Sequence, residues 1–217
     1  MKSLRTRSKK GLAANVDGQW WLLESQTDYA KAILLRKKYI IFYKDGLRHR
    51  VDGPTVIGSD GSKFWYLKGK LHREDGPAVI GADGSRFWHL KGKLHREDGP
   101  AVVRANGSEE WYQNGLRHHG DGPAIIWTDG TQFWYQNDKL HREDGPAVVW
   151  EDGNEFWYKN DKLHRADGPA IVRADGSKLW YKDGKLHRED GPAFIETDGS
   201  KSWYLKGKLT KHNLTKF

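Results

Sequence analysis

Residues 75–97 read DGPAVIGADGSRFWHLKGKLHRE, and this 23-residue phrase recurs along most of the chain. Its Asp-Gly-Pro tripeptide returns with the glycine at Gly53, Gly76, Gly99, Gly122, Gly145, Gly168 and Gly191, every interval being 23. A tryptophan returns in step at Trp65, Trp88, Trp111, Trp134, Trp157, Trp180 and Trp203, with Phe42 at the equivalent place in the first unit. Two series that keep phase without an insertion identify an internal repeat, about eight copies over residues 40–208.

Within one copy, Ala78–Ile80 and Phe87–His89 are apolar segments, and Lys93–Glu97 is mostly polar. Between them, Ala-Asp-Gly-Ser and Leu-Lys-Gly-Lys each put a glycine where a tight reversal needs positive φ, so both read as hairpin turns. Pro77 lacks a donor and fixes φ, which suits the entry to a strand. The doubled apolar positions, such as Val79/Ile80, Val102/Val103 and Ile125/Ile126, place apolar side chains on both faces of a thin sheet. By the same alternation, Trp65 points away from Phe64 and Tyr66. The expectation is an all-β, single elongated array of about eight 23-residue β-hairpin repeats, rising roughly 10 Å per repeat at two strands each.

Three stretches follow from this reading. Residues 1–39 form a basic N-terminal segment in which 24–38, ESQTDYAKAILLRKK, predicts a short helical cap with Ser25 or Thr27 at its start. Residues 40–208 are the array, and 209–217 replace the expected continuation with a polar, basic capping tail.

Composition narrows the function classes. The chain has 217 residues, no Cys and eleven Trp, so disulfides play no part and aromatic packing does. The basic N-terminus lacks the apolar stretch of a signal peptide and nothing reaches the roughly 18 apolar residues of a membrane span, which points to a cytoplasmic location. Of the formal +8, residues 1–39 carry +6 and the last thirteen +4, so the intervening array carries −2. A near-neutral array argues against a groove tracking a phosphate backbone, leaving nucleic acid only the basic termini.

The residues Asp83-Gly84, Phe87-Trp88, Gly92-Lys93 and His95, with their equivalents over about 40–208, make the unit resemble MORN repeats, which are hairpin units of similar length. The Gly between the aromatics is absent and Arg-Glu-Asp follows the His, so the unit looks most like the HREDGPA variant arrays of bacteriophage and giant-virus genomes. That resemblance implies a viral protein that binds and inhibits a host defence or regulatory protein in the host cytoplasm. DGSKFWYLKG, residues 60–69, is also similar to the aromatic repeats of bacterial cell-wall-binding proteins, which would imply a glycan ligand.

Seven of the ten His share one repeat position, His49, His72, His95, His118, His141, His164 and His187. A metal array with Asp75 and its equivalents is conceivable, but His-x-x-Asp alone is a weak ligand spacing. The structural alternative has the imidazoles bridging to neighbouring carbonyls or carboxylates. Arg73-Glu74-Asp75 and its copies are expected to form ionic ladders between adjacent repeats. Every candidate acid or base is copied about seven times, and no nucleophile elbow, P-loop or dinucleotide motif occurs, so no catalytic residue, metal or cofactor is expected.

Positions that differ between copies are the ones free to make contacts. Two residues before the Asp-Gly turn the chain reads Gly58, Gly81, Arg104, Trp127, Trp150, Arg173 and Glu196. The third repeat also replaces KLHRED by LRHHGD, bringing in His118 and His119, and sets Glu109-Glu110 before Trp111. Arg and Trp are enriched at interface hot spots, so Arg104, Trp127, Trp150, Arg173, His118 and His119 form the expected partner-binding set. The expected partner is another protein, with a polymer along the ladder (nucleic acid, anionic lipid or glycan) or a homo-oligomer as alternatives.

Overall fold

The computed structural model describes residues 39–213, and before them the backbone of 7–8, 11–16, 19–23 and 31–32. Among the described residues all regular structure is β, and the sheet is built from repeated hairpins. The chain divides into two compact units, residues 1–105 and 106–217. The helix expected over 24–38 lies outside the described residues, except that Lys31–Ala32 form a two-residue strand paired with Phe42–Tyr43.

Each repeat supplies four short strands, as residues 78–100 show. Val79–Ile80 pair with Arg86–Phe87 across the Asp-Gly turn, and His89–Leu90 pair with Lys93–Leu94 across the Lys-Gly turn. The second and third strands are one run bent at Trp88, whose N–H is given to Ala101 O of the next repeat at 2.8 Å. The two turns therefore lie at opposite ends of a bent run, forming two separate rows of turns. At the Lys-Gly turn Lys91 and Gly92 have φ of 53° and 87°, the geometry that joins strands of natural twist with a two-residue loop. In the fourth and fifth repeats Asn137-Asp138 and Asn160-Asp161 fill the same two positions, both at positive φ.

In the first unit the main ladder runs from Tyr39–Lys44 through Val56–Gly58, Lys63–Phe64, Val79–Ile80 and Arg86–Phe87 to Val102–Val103. In the second it runs from Glu109–Glu110 through alternating pairs to Phe194–Ile195 and then Lys201–Leu205. There the last strand, Lys208–Asn213, seals the ladder by pairing along Lys201–Leu205. Part of the expected capping tail is thus a strand, and its Lys211 sits 4.7 Å from the Trp203 ring.

The core is a thin line of small and branched side chains. The residue after each Pro is fully buried: Thr55, Ala78, Ala101, Ala124, Ala147, Ala170 and Ala193. The first of most doubled apolar pairs faces an aromatic of a neighbouring strand, so Val148 lies opposite both Phe133 and Phe156 and is buried, whereas Phe194 lies opposite Leu179 and Ser202. The second faces polar partners, so Val149 lies opposite Gln132 and Glu155. One face is mainly apolar, interrupted at Glu110 and Ser202, and the other mixes aliphatic with charged side chains.

The Arg of each HRED segment does not make ionic ladders between repeats. It folds back on its own repeat: Arg73 Nε donates to Asp75 Oδ1 at 2.8 Å, Nη1 donates to Pro77 O at 3.4 Å, and the guanidinium lies 4.3 Å from the Trp65 ring. The same clamp recurs at Arg96/Trp88, Arg142/Trp134, Arg165/Trp157 and Arg188/Trp180, each at 4.2 Å. The middle residue of Asp-Gly-Pro is Gly because a Cβ on Gly76 would stand 3.1 Å from Arg73 Cζ. A planar, always-charged fork suits this slot better than the ammonium of Lys.

Contacts between repeats fall instead to His and Ser. His72 Nδ1 accepts the N–H of Lys91 in the next repeat's turn at 3.2 Å, and His164 and His187 do the same with Asp183 and Lys206. The imidazoles thus take backbone N–H groups in addition to the expected carboxylates: Nε2 of His72 and His187 approaches Glu74 and Glu189, and His164 Nδ1 lies 3.1 Å from Asp183 Oδ1. At the other row Ser85 Oγ accepts Ala105 N–H at 3.0 Å, and Asn154 Oδ1 accepts Ala174 N–H at 3.1 Å. These bonds hold register, because a strand slipped by one residue would leave each of them unmade.

Candidate partner-binding surface

Trp127 and Trp150 open the Asp-Gly turns of the fourth and fifth repeats. Trp127 N–H is given to Thr131 O at 2.9 Å, its carbonyl accepts Gly130 N–H at 3.0 Å, and Asp129 Oδ1 takes Thr131 N–H at 2.8 Å. Trp150 closes its turn in the same way onto Asn154 and Gly153. With the turn backbone satisfied internally, the indoles are left to project.

Strand alternation sets their direction. Trp127 lies two residues beyond Ile125 and so shares its face, where Phe133 lies opposite both Ile125 and Val148. The rings meet there: Trp127 to Phe133 at 4.8 Å, Trp127 to Trp150 at 6.2 Å with an interplanar angle of 80°, and Phe133 to Trp150 at 6.1 Å. These edge-on contacts are favoured aromatic geometry and fix the side chains. Each indole nevertheless remains 41% exposed. In the first unit the same column holds Gly58 and Gly81, where the space a Cβ would take is filled by the carboxylates of Asp60 and Asp83.

Arg173, also expected at this surface, is exposed at the next turn of the second unit and closes it through Ser177 O at 3.0 Å. The Asp175 carboxyl lies below its ordinary value, chiefly through hydrogen bonds from Ser177 and in part through the Arg173 charge. Arg104 is exposed in the first unit, at the end of that unit's ladder. The structure thus brings Trp127 and Trp150 together, and it adds Phe133, which the column of variable residues could not reveal. The doubled pattern Ile125/Val148 opposite an aromatic was the available signal.

His118 and His119 belong to a different place. His119 occupies the Arg slot of the clamp: its ring stacks on Trp111 at 4.7 Å and 8°, and its Nδ1 lies 2.9 Å from Pro123 O. His118 Nδ1 is buried without a hydrogen-bond partner. Beside them Glu110, at the position where four other repeats have Phe, accepts the Tyr112 hydroxyl at 2.9 Å, and Arg117 approaches Asp138 at 3.2 Å and the Tyr135 ring at 4.8 Å. Burial and the Glu110 carboxylate push the Tyr112 hydroxyl up.

The near-zero charge of the array conceals two rows of opposite sign. In the second unit the turns that begin at Trp127, Trp150, Arg173 and Glu196 hold Asp129, Glu151, Asp152, Asp175, Glu196 and Asp198 against Arg173 alone. The opposite turns and their flanks hold Lys139, Lys159, Lys162, Lys182, Lys185, Lys206 and Lys208 against Asp138, Asp161 and Asp183. Among the described residues no group of three or more His, Asp or Glu lies close enough to hold a metal ion. No helix among them is long and apolar enough to cross a membrane. No protein-family model matches this chain, and no curated protein matches it.

Proposed function

We propose that this chain is a non-catalytic protein-binding scaffold of MORN-like type, working in the cytoplasm, and that its second unit docks a partner protein through Trp127 and Trp150. The observation that carries the reading is the pair of indoles, locked against each other and Phe133 yet 41% exposed, at a repeat column whose residues vary from copy to copy. Rigid exposed aromatics lose little entropy on binding and are the commonest anchors of protein interfaces. The sequence resemblance to viral HREDGPA arrays supports a host regulatory or defence protein as the partner, bound and inhibited.

The test places a photo-crosslinking residue at exposed Thr128, between the two indoles in sequence, and captures partners from cell extract at low and high salt with nuclease present. One stoichiometric protein, retained in salt and lost from the Trp127→Ala/Trp150→Ala variant, is the expected result. Capture that is indifferent to both substitutions would overturn the reading.

The lysine row favours a second reading, an anionic polymer or lipid surface laid along the turns from Lys139 to Lys208. Its signature is different, since affinity for a phosphate polymer falls steeply with salt whereas an aromatic-centred interface holds.

A further inference from the structure

The scaffold reading leaves open what chemistry the exposed indoles recognise. We infer that the Trp127–Trp150 surface takes an arginine-bearing segment of the partner, with the guanidinium lying on an exposed indole face beside the Glu151 carboxylate. The inference rests on the scaffold reading and adds the class of ligand to it.

The chain itself shows what it does with an indole face. In five repeats a guanidinium lies 4.2 or 4.3 Å from a tryptophan and gives its Nε to an aspartate at 2.8 or 2.9 Å. Where Arg is missing, an imidazole or an ammonium takes the place, His119 on Trp111 and Lys211 on Trp203. Trp127 and Trp150 are the indoles of the second unit on which no such group of the described residues stacks. Their recorded ring neighbours are Phe133 and each other, and each indole remains 41% exposed.

Charge completes the match. Trp150 is followed in its turn by Glu151, which is exposed, and whose carboxylate is not used by the turn. Asp129 and Asp152 hold their own turns through Thr131 and Asn154, yet their charge still adds to the field. The row carries six carboxylates against Arg173, in a chain whose formal charge is +8. A cationic peptide is repelled by the protein as a whole, so its binding here requires a local site. A guanidinium is more weakly hydrated than an ammonium and stacks flat, which makes arginine, rather than lysine, the fitting ligand.

The experiment uses the full chain labelled with nitrogen-15 at tryptophan. A nine-residue peptide of alternating Gly and Arg is titrated while the indole N–H resonances are followed, with the Gly/Lys counterpart and a Gly/Glu peptide as comparators. The expected result is saturable movement of two indole resonances, those lost in Trp127→Ala and Trp150→Ala, with the lysine peptide binding several-fold more weakly and the acidic peptide not at all. Removing one indole is expected to weaken binding about three- to fivefold. Glu151→Gln should weaken it as well, and Glu143→Gln, an exposed carboxylate outside this row, should leave it unchanged. Arginine peptide that fails to bind, binds equally to the double Trp variant, or binds no better than lysine overturns the inference. If Thr128 crosslinking still captures a partner that needs Trp127 and Trp150 in that event, the scaffold reading stands and the guanidinium alone is rejected.

Discussion

Replacing Arg165 by Met tests whether the Trp–Arg clamp, and not simple apolar contact, holds a repeat in shape. Arg165 lies 4.2 Å from the Trp157 ring and donates to Pro169 O at 3.4 Å and to Asp167 Oδ1 at 2.9 Å. Met keeps much of the stem volume and removes the planar cation. The lost stack is worth about 1 kcal/mol for a partly exposed pair. The freed Pro169 carbonyl adds about 1 kcal/mol, because a part-buried acceptor loses its donor. The Asp167 carboxylate is fully exposed, so solvent screening makes its share small beside these two. The expected loss is about 2 kcal/mol, a fall in melting temperature of roughly 4–8 °C for a chain of this size if it unfolds as one unit. Urea unfolding followed by circular dichroism measures it, with Lys162→Met as a surface control. A loss no larger than the control's, or an Arg165→Lys variant as stable as the parent, would refute the reasoning.

Further predictions concern the same clamps and the pH range. Gly145→Ala puts a Cβ 2.8 Å from Arg142 Cζ, so it should displace the guanidinium and destabilise by about 1 kcal/mol. The loss should largely vanish when Gly145→Ala is made in an Arg142→Met background, a coupling that a double-mutant cycle reads directly. Ser85→Ala removes the acceptor of Ala105 N–H and should cost about 1 kcal/mol in urea unfolding, whereas Ser85→Thr should not, since Thr131 holds this position in another repeat. Burial pushes the His89 imidazole below its ordinary 6.5, and its Nδ1 is buried without a partner. The unfolded chain then binds the proton more readily, so this contribution to stability is present above pH 6.5 and lost as pH falls below it. His89→Tyr, matching Tyr66 and Tyr112, should flatten that part of the stability profile between pH 7.5 and 5. The Arg-paired Asp75, Asp98, Asp144, Asp167 and Asp190 carry carboxyls held below 3.8 by their arginines. Their contribution is complete above 3.8 and lost as pH falls through the depressed folded values, so the loss of stability in acid should be shallower in Arg165→Met.

The repeat length, the two turns per repeat and the all-β class were legible in residues 75–97, because each rests on local chemistry. Glycine or asparagine at positive φ makes a tight turn wherever it stands, and doubled apolar residues between turns make short strands. The variable column that contains Trp127 and Trp150 was legible too, since a period of 23 aligns the copies with no structure at all. The sequence alone could not say which neighbour each Arg would choose. Arg73 and Trp65 are eight residues apart, and they meet only because the chain bends at the tryptophan and returns through the Lys-Gly turn. It could not place Phe133 between Trp127 and Trp150, since that contact needs strand register across two repeats. Nor could net charge reveal the acidic and lysine rows. Summing along the chain cancels them, and only the folding of each repeat into two hairpins pointing opposite ways separates them in space.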